Sequence, residues 1–369
     1  MRIENLYLRN FRNYEEENLE LSAGVNLFLG KNAQGKTNFL EAVNYLSTGR
    51  SFRARKEEEM LHFGAEFAEI KGTVFTHERD MELRAILFAG RKPRQLYLNG
   101  VKQKTFSQNM AGEFLTVLFC PEDLLVLKGG SSPRRRLLDN ALSQLRKGYE
   151  DALTEYSRLL EHKNRILKDW HEDSSLLELL PDFNLRLCRF GAELIHSRAG
   201  YLSALAEKAR EHHLHCAGGG EELTFSYLTV PEVEDPHGAK EDIFRALIKQ
   251  VERLHRAELE SGSCLAGPHK DDFEVFLSGK SLKSYGSQGQ TRTAAISLKL
   301  AERDLILQDT GHCPVLLLDD VLSELDEKRQ DFILNRLEGG QVLITCCEND
   351  RRTEAGKVFS VTDGRIAVI

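Results

Sequence analysis

The sequence predicts an α/β protein whose two ends form one structural unit around a mostly helical insert. Short apolar runs typical of strands occur before residue 121 and again after residue 272. Between about 138 and 260, apolar residues instead recur every three to four positions, which is typical of amphipathic helices. We therefore expect a head formed by 1–130 and 264–369, with a helical insert at 131–263.

The predicted elements follow in order along the chain. Strand patterns lie at 2–9, 24–29, 68–75, 81–88, 95–98 and 115–120. Asn99-Gly100 is a strong signal for a hairpin turn, because both residues tolerate positive φ. Helical spacing covers 138–170, 183–213 and 239–260, and strand patterns return at 273–277, 314–320 and 341–346. An insert helix of ~20 residues is only ~30 Å long, which favours a short arm over an extended coiled coil.

The composition is that of a soluble globular protein, with 41% hydrophobic and 29% charged residues. No run approaches the ~18 apolar residues that cross a bilayer, and Met1–Asn5 resembles no signal peptide. The seven cysteines contain no C-x-x-C pair, which indicates a reducing compartment. We expect a cytoplasmic protein without a membrane partner.

A glycine-rich segment predicts a phosphate-binding loop. It matches the pattern G-x-x-x-x-G-K-[ST] and consists of Gly30, Lys31, Asn32, Ala33, Gln34, Gly35, Lys36 and Thr37. A predicted strand ends before it and a predicted helix follows, so backbone N–H groups and the positive helix end would face phosphate oxygens. Lys36 is expected to neutralise the β- and γ-phosphates of ATP, and Thr37 to bind Mg²⁺.

An acidic pair supplies the second expected part of this site. Asp319 and Asp320 follow the unbroken apolar run 315–318, which suits a strand covered on both faces. We expect Asp319 to hold Mg²⁺ through water, and Asp320 to orient or deprotonate the attacking water. The alternative, that both aspartates begin a loop, is weakened by the phosphate-binding loop.

The stretch 284–290 lies ahead of the acidic strand and opens a predicted helix. It resembles the signature motif of the ABC and SMC class of ATPases, and 323–326 after the acidic strand resembles the D-loop of that class. By this resemblance Ser287, Gly289 and Gln290 contact the ATP of a second subunit. The simpler interpretation is a capped helix after a glycine turn.

Within that class the chain resembles the RecF family of bacterial recombination-mediator ATPases over essentially its whole length. The segments that carry this resemblance are 8–14, 48–53, 121–123, 134–139, 267–272, 284–290 and 318–326. The resemblance implies an ABC/SMC-type P-loop ATPase head with a mostly helical inserted arm domain. It also places Arg12 and Asn13 beside the nucleotide.

The same resemblance implies a function. It predicts an ATP-dependent homodimer with weak, DNA-stimulated ATPase activity in recombinational DNA repair. Its partners would be DNA at single-stranded gaps and duplex junctions, RecR, and RecO and RecA in the same pathway. Asp320 replaces the usual glutamate of transporter-type ATPases, which predicts slow hydrolysis. The switch histidine of that class is missing, with Thr345 at the corresponding place, and Pro121–Asp123 contains no glutamine.

Two basic clusters are candidate DNA contacts despite a net charge of −7, because DNA binding requires only a local basic surface. The first contains Arg91, Lys92, Arg94, Lys102 and Lys104 without an acidic residue. The second contains Arg134, Arg135 and Arg136. Either cluster could instead be a solvated face.

Three other functions fit parts of the pattern. A membrane-transporter ATPase predicts a switch histidine and a smaller insert, whereas a small-molecule P-loop kinase requires neither Ser287 nor a D-loop. Another SMC-like DNA ATPase predicts much longer coiled coils. The RecF-like interpretation accounts for the most features.

Overall fold

The computed structural model describes residues 1–76, 79–106, 110–216, 220–321, 330, 339–347 and 356–369. Within these ranges the strands are β1 Arg2–Phe11, β2 Tyr14–Glu20, β3 Val25–Leu29, β4 Phe67–Thr76, β5 Arg79–Phe88, β6 Gln95–Leu98, β7 Val101–Gln103, β8 Thr116–Phe119, β9 Leu223–Leu228, β10 Asp272–Leu277, β11 Lys280–Ser281, β12 Val315–Asp319, β13 Val342–Cys346, β14 Lys357–Thr362 and β15 Arg365–Val368. The helices are α1 Lys36–Thr48, α2 Leu124–Lys128, α3 Ser131–Leu145, α4 Lys147–Asp169, α5 Leu180–Cys216, α6 Lys240–Ser261, α7 Leu282–Tyr285 and α8 Gln288–Thr310.

The central sheet joins the two ends of the chain. Its strand order is β15-β14-β3-β13-β12-β8, and every pair except β14–β15 is parallel. All five residues of β12 and of β13 are buried, as expected for parallel strands covered on both faces. Phe28 in β3 lies 4.3 Å from Phe39 and 4.8 Å from Phe359 between ring centroids. Phe28 therefore packs β3 against both α1 and β14.

A second sheet packs on the same core and is antiparallel, in the order β2-β1-β4-β5-β6-β7. The predicted hairpin turn is confirmed: Asn99 and Gly100 have φ of 49° and 75° between β6 and β7. The tight turn between β1 and β2 contains Arg12, whose φ is 55°. This turn brings the start of the chain against the phosphate-binding loop.

The middle of the chain is mostly helical, as predicted. The expected helix 138–170 is two helices, because Arg146 between α3 and α4 has extended backbone. The estimate of about 20 residues is too short for α5, which has 37 residues and is therefore about 55 Å long. The insert also contains β9, which pairs with β10 beyond the predicted boundary at residue 263. The division at 131 and 263 remains a prediction.

The strands without a counterpart among the predicted ranges are β2, β7, β9, β11, β14 and β15. In β2, three acidic residues at 15–17 obscure the alternation, although Tyr14 and Leu19 are buried. The remaining predicted strands occur within about two residues of their expected ends. The D-loop-like segment 323–326 lies outside the described residues. Within the described ranges, no helix combines the length and apolarity that a bilayer span requires.

Candidate nucleotide-binding site

The phosphate-binding loop connects the central strand β3 to α1. A Cβ on Gly30 would lie 2.4 Å from the carbonyl oxygen of Val361 on β14, so only glycine fits there. Gly35 has φ of 115°, a conformation that favours glycine. The Lys36 ammonium is buried and donates to the carbonyl oxygens of Gly30, at 2.6 Å, and Lys31, at 2.9 Å. The loop is therefore folded around its own cation.

The other residues of this loop are distributed between the surface and the β14–β15 turn. The side chains of Lys31, Asn32 and Ala33 are exposed. The Gln34 side chain accepts a 2.7 Å hydrogen bond from the Asp363 backbone N–H. The structure thus leaves the outer face of the loop accessible, while Gln34 ties the loop to the β14–β15 turn.

The predicted Mg²⁺ ligands meet although they are distant in sequence. Thr37 Oγ1 donates to Asp319 Oδ1 at 2.9 Å. Thr345, opposite Asp319 in the pairing of β13 with β12, donates to the same oxygen at 2.8 Å. Burial raises the pKa of Asp319, and its hydrogen bonds to Thr345 and Thr37 partly offset that effect. A hydroxyl and a carboxylate at one point are oxygen ligands of the kind that Mg²⁺ prefers.

Asp320 takes a left-handed backbone conformation, with φ of 53°. Its backbone N–H donates to Thr345, at 3.0 Å to Oγ1 and 3.3 Å to the carbonyl oxygen. Left-handed backbone is uncommon outside glycine, although aspartate and asparagine tolerate it better than most residues. Thr345 therefore holds the Asp319 carboxylate and the Asp320 backbone at the end of β12.

Arg12 and Asn13 lie beside the phosphate-binding loop, and their contact with the nucleotide stays a prediction. Arg12 forms a two-pronged pair with Glu41 of α1, with both contacts at 2.8 Å. Asn13 donates to the carbonyl oxygen of Gln34 at 3.0 Å and accepts from Asn38 at 2.7 Å. These contacts attach the β1–β2 turn to the loop and to the first turn of α1.

A second arginine, Arg53, shares the Glu41 carboxylate. Arg53 Nη2 lies 2.7 Å from Glu41 Oε2 and 2.5 Å from Asn38 Oδ1, and Ser51 also donates to Glu41. Burial would raise the pKa of the fully buried Glu41, but the two guanidinium groups and Ser51 outweigh it and lower that pKa. The sequence interpretation assigned no role to Glu41 or Arg53. Nothing in the motif spacing distinguishes Glu41 from other polar residues of α1.

Ser287 lies at the N-terminus of α8 and is exposed. Its hydroxyl accepts from the Gln290 backbone N–H at 3.2 Å, and the Gln290 side chain accepts from the Ser287 N–H at 2.8 Å. This reciprocal pair is a capping box. Gln290 also donates to Glu221 at 2.7 Å, and Gly289 is partly exposed. Ser287 therefore caps α8, as the simpler interpretation predicted, and the residue remains exposed at the surface.

The structure corrects the candidate DNA contacts at two positions. Arg134 is only 5% exposed, and it holds both carboxylate oxygens of Asp272, at 2.5 and 2.8 Å, together with two backbone carbonyl groups. Arg94 is bound by Glu57, at 2.8 Å, and by the Tyr45 hydroxyl. Arg134 therefore faces the interior, and Arg94 is partly exposed but already held in an ion pair. The exposed members of the two clusters are Arg91, Lys92, Lys102, Lys104 and Arg136, and Arg135 is partly exposed.

An open cleft of about 970 Å³ brings parts of both basic clusters together. Its basic lining residues are Arg50, Arg53, Arg55, Lys56, Arg94, Arg135 and Arg136, and its acidic ones are Glu57 and Asp139. Sequence reasoning missed the contribution of 50–56, because the run lies far in sequence from Arg135 and Arg136. We define this surface as the basic cleft.

Comparison with known proteins matches nearly the whole chain to RecF and related proteins. The model of the RecF/RecN/SMC N-terminal domain family matches residues 2–368. The DNA replication and repair protein RecF of Clostridium novyi is 37% identical over 99% of each chain. That of Clostridium acetobutylicum is 37% identical over 100% of this chain and 99% of its own.

Solved structures agree with these sequences. The recombination mediator protein RecF-ATPrS of the RecFOR pathway matches with a TM-score of 0.92 and 34% identity, over 100% of this chain and 98% of that one. The corresponding RecF-ATP structure has a TM-score of 0.89 and 36% identity, over 100% of this chain and 97% of that one. The Smc head domain of Pyrococcus furiosus, at 18% identity and a TM-score of 0.56, covering 100% and 95%, shares the fold. The fold is that of an ABC/SMC-type ATPase head.

Arg134 and Arg136, two positions apart on α3, should separate stability from surface charge. Arg134→Met removes the buried guanidinium that holds Asp272 and two backbone carbonyl groups, so the free energy of unfolding should fall by roughly 2–4 kcal/mol. Arg136→Met, on the exposed face of the same helix, should change it by less than about 0.5 kcal/mol. Urea unfolding followed by circular dichroism measures both. Equal effects of the two substitutions would contradict the assignment.

Replacing the hydroxyl of Thr345 tests whether it positions the aspartates. Thr345→Val keeps the shape but removes the bonds to Asp319 and to the Asp320 N–H. Hydrolysis should fall about 10- to 100-fold because the carboxylates lose their fixed direction, while ATP binding by calorimetry should be retained. Thr345→Ser keeps the hydroxyl and serves as the control. Wild-type turnover by the valine variant would show that the hydroxyl is not needed.

Proposed function

This chain belongs to the RecF family of DNA replication and repair proteins, and we propose that it is an ATP-dependent switch that pairs two copies on DNA. The observation that carries the proposal is the presence of two half-sites on one chain. One is the loop around Lys36 with Thr37 and Asp319. The other is Ser287, whose hydrogen bonds within the described ranges remain inside its own helical turn.

In the first half-site each residue has one task. Lys36 faces the β- and γ-phosphates, and the loop backbone with the N-terminus of α1 supplies further N–H donors. Thr37 and Asp319 would hold Mg²⁺, which when bound neutralises phosphate charge. Arg12 and Asn13 hold the loop against the β1–β2 turn. Asp320, whose backbone N–H is held by Thr345, would orient the attacking water or accept its proton.

The second half-site acts on the ATP of the partner. At the N-terminus of α8 the backbone N–H groups of Gln288 and Gly289 donate to none of the described residues, and with the positive helix end they suit a γ-phosphate. Two copies related by a two-fold axis would each offer Ser287, Gly289 and Gln290 to the loop of the other. ATP then lies between subunits and stabilises the pair, and hydrolysis releases it.

DNA would bind the basic cleft. Arg55, Lys56 and Arg136 are exposed there and, among the described residues, have no ion-pair partner. Arg53 reaches from the same segment to Glu41 on α1, so a phosphate bound by Arg55 or Lys56 is one short segment from the nucleotide half-site. Such contacts act mainly through charge, which matches a protein that recognises DNA structure more than sequence.

Membership of the family supports a proposal for where this switch acts in the cell. A related RecF structure belongs to the RecFOR pathway, and we propose the same pathway for this chain. It would act at single-stranded gaps and duplex junctions, with RecR and RecO, so that RecA is loaded there. Slow hydrolysis would then reset the dimer.

The trans arrangement predicts a specific pattern of complementation. Ser287→Arg places bulk and charge at the proposed interface between the two copies without changing Lys36, Thr37 or Asp319. The variant should therefore bind ATP as a monomer but neither dimerise nor hydrolyse ATP. Lys36→Ala should lose ATP binding. A mixture of the two should regain part of the activity, because each heterodimer contains one intact composite site. Light scattering and phosphate release measure these outcomes, and normal ATP-dependent dimerisation of the Ser287 variant would overturn the model.

The salt dependence of DNA binding tests the basic cleft. Neutralising Arg55, Lys56 and Arg136 together to glutamine should weaken binding and reduce the slope of log affinity against log salt by up to about 2–3 units. The matched control neutralises Arg91, Lys92 and Lys102, which are exposed but outside the cleft. If only the control set reduced the slope, the DNA interface would lie on the β5–β7 surface instead of in the basic cleft.

A further inference from the structure

One lysine outside the nucleotide site holds the segment that precedes Ser287. Lys128, the last residue of α2, donates from Nζ to three backbone carbonyl oxygens. The distances are 2.9 Å to Leu282, 3.3 Å to Lys283 and 2.7 Å to Gly286. A lysine ammonium has three N–H donors, and here all three point to a single loop.

Most of the segment 282–286 that Lys128 contacts is exposed. Helix α7 is only four residues long, far below the length at which a helix is stable alone. Leu282 is its one buried residue, whereas Tyr285 is 76% exposed. A Cβ on Gly286 would lie 2.6 Å from the Leu282 carbonyl oxygen, so the backbone turns tightly just before Ser287.

Lys128 is itself anchored on the head. Helix α2 begins directly after Asp123, whose carboxylate lies 3.4 Å from the buried Lys299 ammonium on α8. Val126 and Leu127 of α2 are buried in the core that includes α8. The preceding strand β8 pairs with β12, which ends at Asp319. Through β8 and α2, the Lys128 ammonium thus connects the strand that ends at Asp319 to the loop just before Ser287.

From this geometry we infer that Lys128 is a positioning residue for Ser287. It closes the turn 282–286 and so fixes where the N-terminus of α8 meets a partner subunit. The inference rests on the proposed trans role of Ser287. Lys128 lies at neither the phosphate-binding loop nor the basic cleft. Its replacement should therefore change ATP-dependent dimerisation and leave the ATP affinity of the monomer unchanged.

Lys128→Met keeps the length of the side chain and removes the donors. ATP affinity of the monomer by calorimetry should be unchanged, while ATP-dependent dimerisation by light scattering should weaken at least about tenfold, because the loop must be ordered at each encounter. Lys128→Arg, which can donate to the same carbonyl groups, should restore most of the loss. Lys249→Met removes an exposed lysine on α6 and should dimerise as wild type.

A second measurement does not depend on dimerisation. Amide hydrogen exchange of 284–290 in the monomer should be about tenfold faster or more in Lys128→Met than in wild type or Lys249→Met. Lys128→Gln, which keeps two donors but loses charge and reach, should show the same direction of change and replaces the methionine variant if that one does not fold. Wild-type exchange in these variants, or wild-type dimerisation, would overturn the positioning role.

Ser287→Arg run in parallel distinguishes the two ideas. If it abolishes dimerisation while Lys128→Met pairs normally, the positioning role alone is wrong. If Ser287→Arg pairs normally with ATP, the trans arrangement is wrong, and the inference about Lys128 falls with it.

Discussion

The parallel pairing of β13 between β3 and β12 is the constraint on which the site depends. It sets Thr345 opposite Asp319 on one side, and on the other it aligns the end of β3, from which the phosphate-binding loop departs. Because the carboxyl ends of parallel strands share one edge of a sheet, Thr37 reaches Asp319 across a sequence separation of 282 residues. A shift of the β12–β13 pairing by one residue would place Asp319 and Thr345 on opposite faces of the sheet. The register of this sheet therefore determines whether Thr37 and Asp319 meet.

The sequence predicted those parts of the site whose chemistry forces a local pattern. The glycines at 30 and 35, the lysine and the hydroxyl have a fixed spacing, and an unbroken apolar strand before Asp319 marks a buried parallel position. It did not predict Glu41, Arg53 or Lys128, because each acts through side chains or carbonyl groups that only the fold brings near. Strand β2 was missed for a related reason: its acidic residues face solvent, and only two of its positions are buried.

Charge in this sequence is a poor guide to charge on its surface. In the run 134–136, Arg134 points inward to Asp272, Arg135 reaches the Asp271 carbonyl oxygen at 2.6 Å, and only Arg136 is exposed. Arg198, 3% exposed, is likewise fixed by Asp139. Helical periodicity rotates adjacent residues by about 100°, so three consecutive arginines cannot share one environment. The basic cleft instead collects exposed residues from segments about eighty positions apart.

The way the central sheet is assembled has a consequence for synthesis of the chain. Strand β3 is bordered by β13 and β14, which are translated long after it, so its two edges and the loop after it remain unpaired until residues 342–362 are made. Contacts of such long sequence separation form slowly, and the apolar strands are exposed until they do. A chain truncated before residue 342 would lack both neighbours of β3 and would leave its apolar edges open to aggregation. Residues 342–362 thus decide whether residues 30–37 become a functional site.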